Sequence, residues 1–298
     1  MGISFNQKAL YLIGLLILIL NKVRRTFIEY SNPRPFSIKN IEKNVAYTLR
    51  VATKWHEVAQ MYTQDQSPFR GKSILEMGPG PDLGTGIILL SLGAEIYHAI
   101  DMFPLAKHTP ELFYDALFQR ISNFPMVEQA KKILSEYQLK GWHKRFNYKI
   151  VSFPSLRELN NNKYDIILSQ AVWEHISNPE ATLFSLLKHA GENALFLNEV
   201  DMASHTRIIR EIDPLNILRY EERIYKALAF PGTPNRWRSS DYLNLSNKAG
   251  LKDIKLIPTW RCSDEYVKKV SPHLAMPFKD RDADDLAILS CFWLAKFP

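Results

Sequence analysis

The stretch SILEMGPGPDLG, Ser73 to Gly84, constrains this chain more than any other. Ser73–Met77 reads as a buried strand that runs into a glycine-rich turn, and a helix follows over Leu83–Leu92. Gly78 and Gly80 let the backbone take angles that other residues resist and pass close to a ligand. The helix that begins there offers unpaired N–H groups in its first turn. The rest of the sequence repeats this alternation. Glu95–Ile100 reads as a second strand, Pro110–Leu139 as one or two helices, and Tyr148–Phe153 as a third strand. Tyr164–Ser169 (YDIILS) is a fourth, followed by a helix near Pro179–His189, and Ala194–Val200 is a fifth. Short apolar strands alternating with helices indicate an α/β fold, a parallel sheet with helices on both faces. A helical stretch at about Pro214–Phe230 lies within an insert of about residues 204–240. A helix over Ser240–Ala249 ends at Gly250. Leu251–Ile257 and Leu286–Lys296 close the chain as two strands.

The turn excludes two common ligands. A dinucleotide fingerprint needs glycine where this chain has Leu83, and Gly84 comes one place late. A phosphate-binding loop needs Lys-Ser/Thr after the glycines, and that pair is missing. The second strand ends in Ala99-Ile100-Asp101-Met102, with Asp101 lying 25 residues beyond Glu76. An acid at such a strand end can accept both hydroxyls of a ribose. Alone, it would read equally well as a turn acid or helix cap.

Together, ILEMGPG, the AID at the next strand end and YDIILSQAVWEHI resemble the class I S-adenosylmethionine-dependent methyltransferases, from about Lys72 to the C-terminus. The resemblance implies a doubly wound, mostly parallel, seven-stranded Rossmann-like sheet. Its late strand, Asp285–Lys296, would be the antiparallel seventh. The resemblance also implies S-adenosylmethionine as cofactor. Glu76 would then support the loop near the donor's amino group, Gly78, Pro79 and Gly80 would border the donor, and Asp101 with Met102 would meet the ribose. Ser169, Gln170, Glu174 and His175 would lie beside the methyl donor. Many members carry an acid at the end of the third strand for the adenine amino group. Here Val151-Ser152-Phe153 stands there, which leaves that contact to Ser152 or a backbone group.

Methyl transfer from a sulfonium is an in-line displacement. The protein aligns the nucleophile with the methyl carbon and, for a hydroxyl or ammonium acceptor, removes a proton. Histidine is the natural base near neutral pH. His175 is one candidate, or else it orients its loop. His205, in the segment NEVDMASH with Asp201 beside it, is the other, or else a structural cap. This segment continues through Asp213-Pro214-Leu215-Asn216 and Asn235-Arg236-Trp237-Arg238 much as in a subgroup of these methyltransferases. Glu199, Asp201 and His205 are ligand types for divalent ions, but nothing else in the sequence supports a metal and none is expected. Arg236 and Arg238 either suit a carboxylate or phosphate or form a surface loop paired with Asp241. Phe113, Tyr114, Phe118 and Phe124 read as core or lid packing rather than a ligand cage.

Ala9–Leu20 is an unbroken apolar run of twelve residues. A bilayer-spanning helix needs about 20. A cleaved signal peptide reads poorly because NKVRR follows the run, and Asn6 breaks the myristoylation pattern. Two readings stand. One is a membrane anchor or interfacial helix with Lys22, Arg24 and Arg25 on the cytoplasmic side. The other is a helix packed on the protein, against which the lack of a polar stripe counts. The organisation is thus a hydrophobic helix in residues 1–30, a linker (Ser31 to Pro35) and helix (about Ile41 to Tyr62) in 31–70, and a catalytic domain in 71–298. A formal net charge of +7 on 298 residues is mild. Ser169-Gln170-Ala171-Val172 also lacks the Asn/Asp-Pro-Pro-aromatic tetrad of base methylation, so no nucleic-acid partner is expected. The two cysteines make no disulfide framework and fit a reducing cytoplasm. The expected function is methylation of a small-molecule, glycan or lipid-linked acceptor at the cytoplasmic membrane face. A protein or nucleic-acid methyltransferase and a non-catalytic donor-binding scaffold are the rivals, and intact Gly78, Gly80 and Asp101 count against the scaffold.

Overall fold

A computed structural model describes residues 6–27, 36 and 38–298; the expected linker at 31–35 lies outside them. Helices α1 (Gln7–Phe27) and α2 (Ile41–Thr63) precede the sheet. The chain then runs β1 (Ser73–Met77), α3 (Gly84–Ser91), β2 (Ile96–Asp101), α4 (Glu111–Arg120), α5 (Val127–Lys140) and β3 (Phe146–Ile150). It continues through β4 (Tyr164–Gln170), α6 (Pro179–Leu187), β5 (Ala190–Asp201), α7 (Arg207–Ile212) and α8 (Glu222–Leu228). It closes with α9 (Ser239–Lys248), β6 (Lys252–Arg261), α10 (Asp264–Val270), α11 (Ala283–Ala287) and β7 (Ile288–Lys296).

The seven strands order as β3-β2-β1-β4-β5-β7-β6, with β7 antiparallel to both neighbours. This is the doubly wound sheet the sequence implies. From β1 the chain winds outward through β2 and β3, then crosses to β4 on the other side. Crossovers that change direction in this way open a crevice at the carboxyl ends of the strands. The register fixes what lines it. Met77 sits opposite Ile100 and Ser169, and Gln170 opposite Glu199, so Gly78, Asp101 and Gln170 share one edge.

Each sheet face carries its own core. One holds Trp55, Ile87, Tyr97 and Phe113; the other holds Trp173, Phe196, Tyr242 and Trp293. Phe113 and Tyr114 are buried, so that aromatic group is core. Gly86 lets α3 settle on the sheet, because a Cβ there would collide with the Tyr97 ring. β6 runs past Pro258 to Arg261, beyond the expected end at Ile257, because an edge strand tolerates proline. β3 ends at Ile150, three residues early, where the chain turns and Leu156 N–H bonds Ser152 O. The short helices α10 and α11 have no signal long enough to anticipate.

A third core lies under the insert, around Leu215, Leu218, Tyr220, Tyr225 and Leu286, and α1 docks on it through Tyr11, Leu15 and Leu18. Asn216 Nδ2 donates to Leu10 O (3.1 Å), Tyr220 OH to Tyr11 O (3.1 Å) and Arg219 to Gln7 Oε1 (2.8 Å). Lys22 Nζ donates to Ala229 O (2.7 Å) and Arg25 to Pro231 O (2.8 Å). These two cations therefore turn toward the insert, not toward a headgroup layer as expected. Gly14 makes the approach close, because a Cβ there would overlap Asn216 Oδ1 and Tyr220 OH. Gly14→Val should therefore destabilise the chain by about 1–3 kcal/mol, the range for overpacking. Thermal melting would show a lowered Tm, and an unchanged Tm would refute the close docking.

Candidate active site

The turn after β1 holds Gly78 at φ +65° and Gly80 at φ +80°, both in the left-handed region. Gly78 N–H donates to Ile100 O (2.7 Å), which joins the turn to the end of β2. A Cβ on Gly78 would lie 2.6 Å from Val172 Cγ2, so the loop after β4 presses directly on the turn. Three carboxylates converge here. Glu76 is buried and accepts from Thr85 Oγ1 and Tyr97 OH, each at 2.6 Å. Asp82 accepts from Gly84 N–H (2.9 Å) at the start of α3. Asp101 accepts from Phe103 N–H (3.1 Å) at the end of β2. Burial pushes Glu76 and Asp82 up to about 7. It pushes Asp101 up to about 6, with the N–H groups of Phe103, Met102 and Gly80 pulling it back. A turn of two left-handed glycines beside a buried acid on the next strand fits a donor carrying a ribose. Pro79 lies between the two glycines, and Met102 is exposed beside Asp101.

Ser169 and Gln170 end β4. Ser169 is fully buried and donates to Asn198 Oδ1 (2.6 Å), which also takes Trp173 Nε1–H (3.0 Å). Ser169 thus fixes the wall between β4 and β5 and is not presented to the donor. Gln170 Oε1 is buried at the crevice edge, without a hydrogen-bond partner among the described residues. Ser152 is exposed beyond the end of β3.

The turn Trp173–His175 follows β4 and is clamped from the insert. Asn235 Nδ2 donates to Trp173 O (2.8 Å) and Ile176 O (3.1 Å), and Asn235 N–H donates to Glu174 O (2.6 Å). His175 Nδ1 bonds Gly232 O (2.6 Å), and His205 Nδ1 bonds Ala203 O (2.8 Å). The two rings meet edge to face, 4.7 Å between centroids. Glu174 Oε1 lies 3.8 Å from His205 Nε2. Burial holds His175 below the usual histidine range, with Glu174 opposing it. For His205 burial acts in the same direction, but Glu174, Asp201 and the Ala203 carbonyl outweigh it and raise the ring.

The structure brings the two candidate histidines together and sets Asp201 aside. Asp201 accepts from Ala203 N–H (3.2 Å) and pairs with Arg210 (2.7 Å). Glu199 turns to Thr259 (3.2 Å) and Lys54 (3.6 Å). The ligand types Glu199, Asp201 and His205 therefore do not converge. Glu174, His175 and His205 do, and the sequence reading missed that set because His205 comes from a different strand end. Arg236 and Arg238 are neither an anion clamp nor a surface loop. Arg236 is buried over the Tyr225 ring and donates to Tyr220 O (2.6 Å). Arg238 is fully buried and donates to Met202 O (2.9 Å) and Leu286 O (3.0 Å). Arg236 ties the insert together, and Arg238 ties its end to the segment after β5 and to α11 and β7.

Residues 50–256 match the family model described as a methyltransferase domain. The chain belongs to that family and is an S-adenosylmethionine-dependent methyltransferase, with S-adenosylmethionine as its cofactor. No curated protein matches the sequence. The chain is similar in fold to phosphoethanolamine N-methyltransferase 2 of Haemonchus contortus solved with S-adenosyl-L-methionine, at 12% identity and TM-score 0.45, covering 83% of this chain and 52% of that one. It is also similar to an S-adenosylmethionine-dependent methyltransferase from Mesorhizobium loti, at 11% identity and TM-score 0.43, covering 76% and 92%. The CurJ carbon methyltransferase aligns at 14% identity and TM-score 0.43, covering 83% and 54%. The chain thus spans about half the length of the first and third.

Asp101→Ala should weaken S-adenosylmethionine binding by about 1.5–3 kcal/mol, the range for bonds to a charged group. A ribose hydroxyl donates to the ionised carboxylate, so binding expels the proton that free Asp101 holds below about pH 6. Affinity should fall as pH drops through 6, and that part of the pH dependence should vanish in Asp101→Ala. In the free protein the sign reverses. The folded carboxylates keep protons up to about 6–7 that the unfolded chain releases at about 4, so stability should decline as pH rises through that window. Calorimetry showing unaltered affinity in Asp101→Ala would refute the assignment.

Proposed function

We propose that this chain transfers the methyl group of S-adenosylmethionine to a small-molecule, glycan or lipid-linked acceptor while α1 lies on the inner face of the cytoplasmic membrane. The donor supplies an electrophilic methyl on a sulfonium. Glu76, Gly78, Gly80 and Asp101 bind and orient it, and Val172 packs over the turn that holds it. Glu174, His175 and His205 stand on the acceptor side and manage the proton that leaves the nucleophile. Burial of Arg236 and Arg238 takes two cations from any surface that would bind nucleic acid.

The observation that carries the membrane part of this reading is the outer face of α1. Leu12, Ile13, Leu16, Ile19, Leu20, Val23 and Phe27 are exposed, Phe27 by 81%. At about 100° per residue these positions fall within an arc of about 120°. The opposite face, with Leu10, Gly14 and Leu18, is the one docked on the insert. Among the described residues no helix is long and apolar enough to cross a membrane. The geometry supports a helix lying in the interface, which buries an apolar stripe while its other face stays on the protein.

The test has two arms. Purified protein should pellet with anionic phospholipid vesicles, and the double variant Leu16→Asp, Leu20→Asp should stay in the supernatant with unchanged Tm and donor affinity. Incubation with a polar lipid extract and methyl-labelled donor should place label in the organic phase, and the double variant should place less there. Wild-type protein that ignores vesicles would end the membrane reading; label found only in the aqueous phase would restrict the acceptor to soluble molecules.

A further inference from the structure

Glu174 departs from the rule that a buried charge is paired and hydrogen-bonded. It is 2% exposed, and among the described residues neither carboxylate oxygen has a hydrogen-bond partner. Its ion-pair contact, His205 Nε2 at 3.8 Å, is too long for a hydrogen bond.

Two histidines flank this carboxylate in the orientation that metal ligands take. The Nδ1 atoms of His175 and His205 face backbone carbonyls at 2.6 and 2.8 Å. A carbonyl only accepts, so each Nδ1 carries a proton and each ring, when neutral, has its lone pair on Nε2; an ion binding there displaces any proton that Glu174 holds on His205 Nε2. Metal-bound histidines commonly donate their second ring N–H to a carbonyl or carboxylate in this manner. One ligand atom from each of Glu174, His175 and His205 lies within 4.8 Å of the others. Ligand bonds of about 2.1 Å at tetrahedral angles put ligand atoms about 3.4 Å apart, so binding an ion requires the three side chains to close in by about 1 Å or more.

We propose that Glu174, His175 and His205 bind one divalent first-row transition-metal ion and leave coordination positions open to the acceptor's hydroxyl. Two imidazoles and one carboxylate form a three-ligand set that suits zinc, manganese or iron and keeps sites for a further oxygen. The ion's place relative to the donor follows from Val172, which presses on Gly78 and precedes Glu174 by two residues. The binding of the ion stands on this geometry alone; its action on an acceptor rests on the function proposed above. A hydroxyl bound to the ion releases its proton to water more readily than a free one. An oxygen lone pair then forms the O–CH3 bond while the C–S bond breaks with its electron pair left on sulfur. The products are a methyl ether, a neutral thioether and one solvated proton.

The experiment uses the full chain freed of metal with a chelator and titrated calorimetrically with Mn2+ and with Co2+, the latter also followed by its visible spectrum. One ion should bind per chain. Glu174→Gln and His205→Ala should each weaken binding by more than the about 10–100-fold that loss of an outer partner costs. His273→Ala, at an exposed position, should bind as wild type does. Each variant's affinity for S-adenosylmethionine reports that it is folded. Absence of a one-to-one ion, or binding untouched by either site variant, overturns the proposal. Site-dependent binding without any methyl transfer supports the metal site and counts against the proposed function. Methyl transfer that proceeds at full rate in chelator overturns the ion's part in activating the acceptor.

Discussion

The buried pair Asp213–Arg219 is the contact on which the outer half of the structure depends. Both side chains are excluded from solvent, and Arg219 donates twice to Asp213, at 2.7 and 3.0 Å. Asp213 also accepts from Asn216 Nδ2 (2.8 Å) and Tyr266 OH (2.5 Å), so the charge is well surrounded by donors. Such a pair is not a large net source of stability, but removal of one partner leaves a buried charge and costs about 3–5 kcal/mol. Its value here is placement. Arg219 reaches Gln7, and Asn216 reaches Leu10 O, so the same cluster that closes the insert receives α1.

Local chemistry was legible in the sequence and long-range convergence was not. The glycine turn, the acid at the end of β2 and the apolar strand YDIILSQ each announce themselves within a dozen residues, because backbone freedom and strand burial are local requirements. The strand order follows from the family that those segments resemble. Nothing local signals that the guanidinium of Arg236 will be buried against Tyr220 O, or that of Arg238 under carbonyls of Met202 just after β5, of α11 and of β7. Ser169 looks like a ligand contact until Asn198, 29 residues on, takes its hydroxyl. Glu174 and His175 stand out as a pair, yet their meeting with His205 is set by the β4–β5 register and by the insert that supplies Gly232 and Asn235.

Two of the buried side chains with polar atoms left without a hydrogen-bond partner among the described residues, Gln170 and Glu174, come at or just after the carboxyl end of β4. By contrast the buried carboxylates of Asp213 and Asp285 accept hydrogen bonds on several sides. A fold able to surround Asp213 and Asp285 with donors is able to surround Glu174. That Glu174 has only the long contact to His205 instead is what the proposed ion would use.

The N-terminal helix belongs to this argument because of where its basic residues go. Lys22 and Arg25 bond the carbonyls of Ala229 and Pro231, and Arg25 also lies over the Phe230 ring, 4.8 Å from its centre. The next carbonyl in that segment, Gly232 O, holds His175. Helix, loop and histidine are therefore joined by consecutive contacts. A loop bonded on both sides has fewer conformations than one bonded on one side, so the docked face of α1 helps fix the tautomer and orientation of His175. The opposite face of the same helix is the apolar stripe. Whatever covers that stripe bears on the loop that holds His175, and it does so without touching the glycine turn after β1.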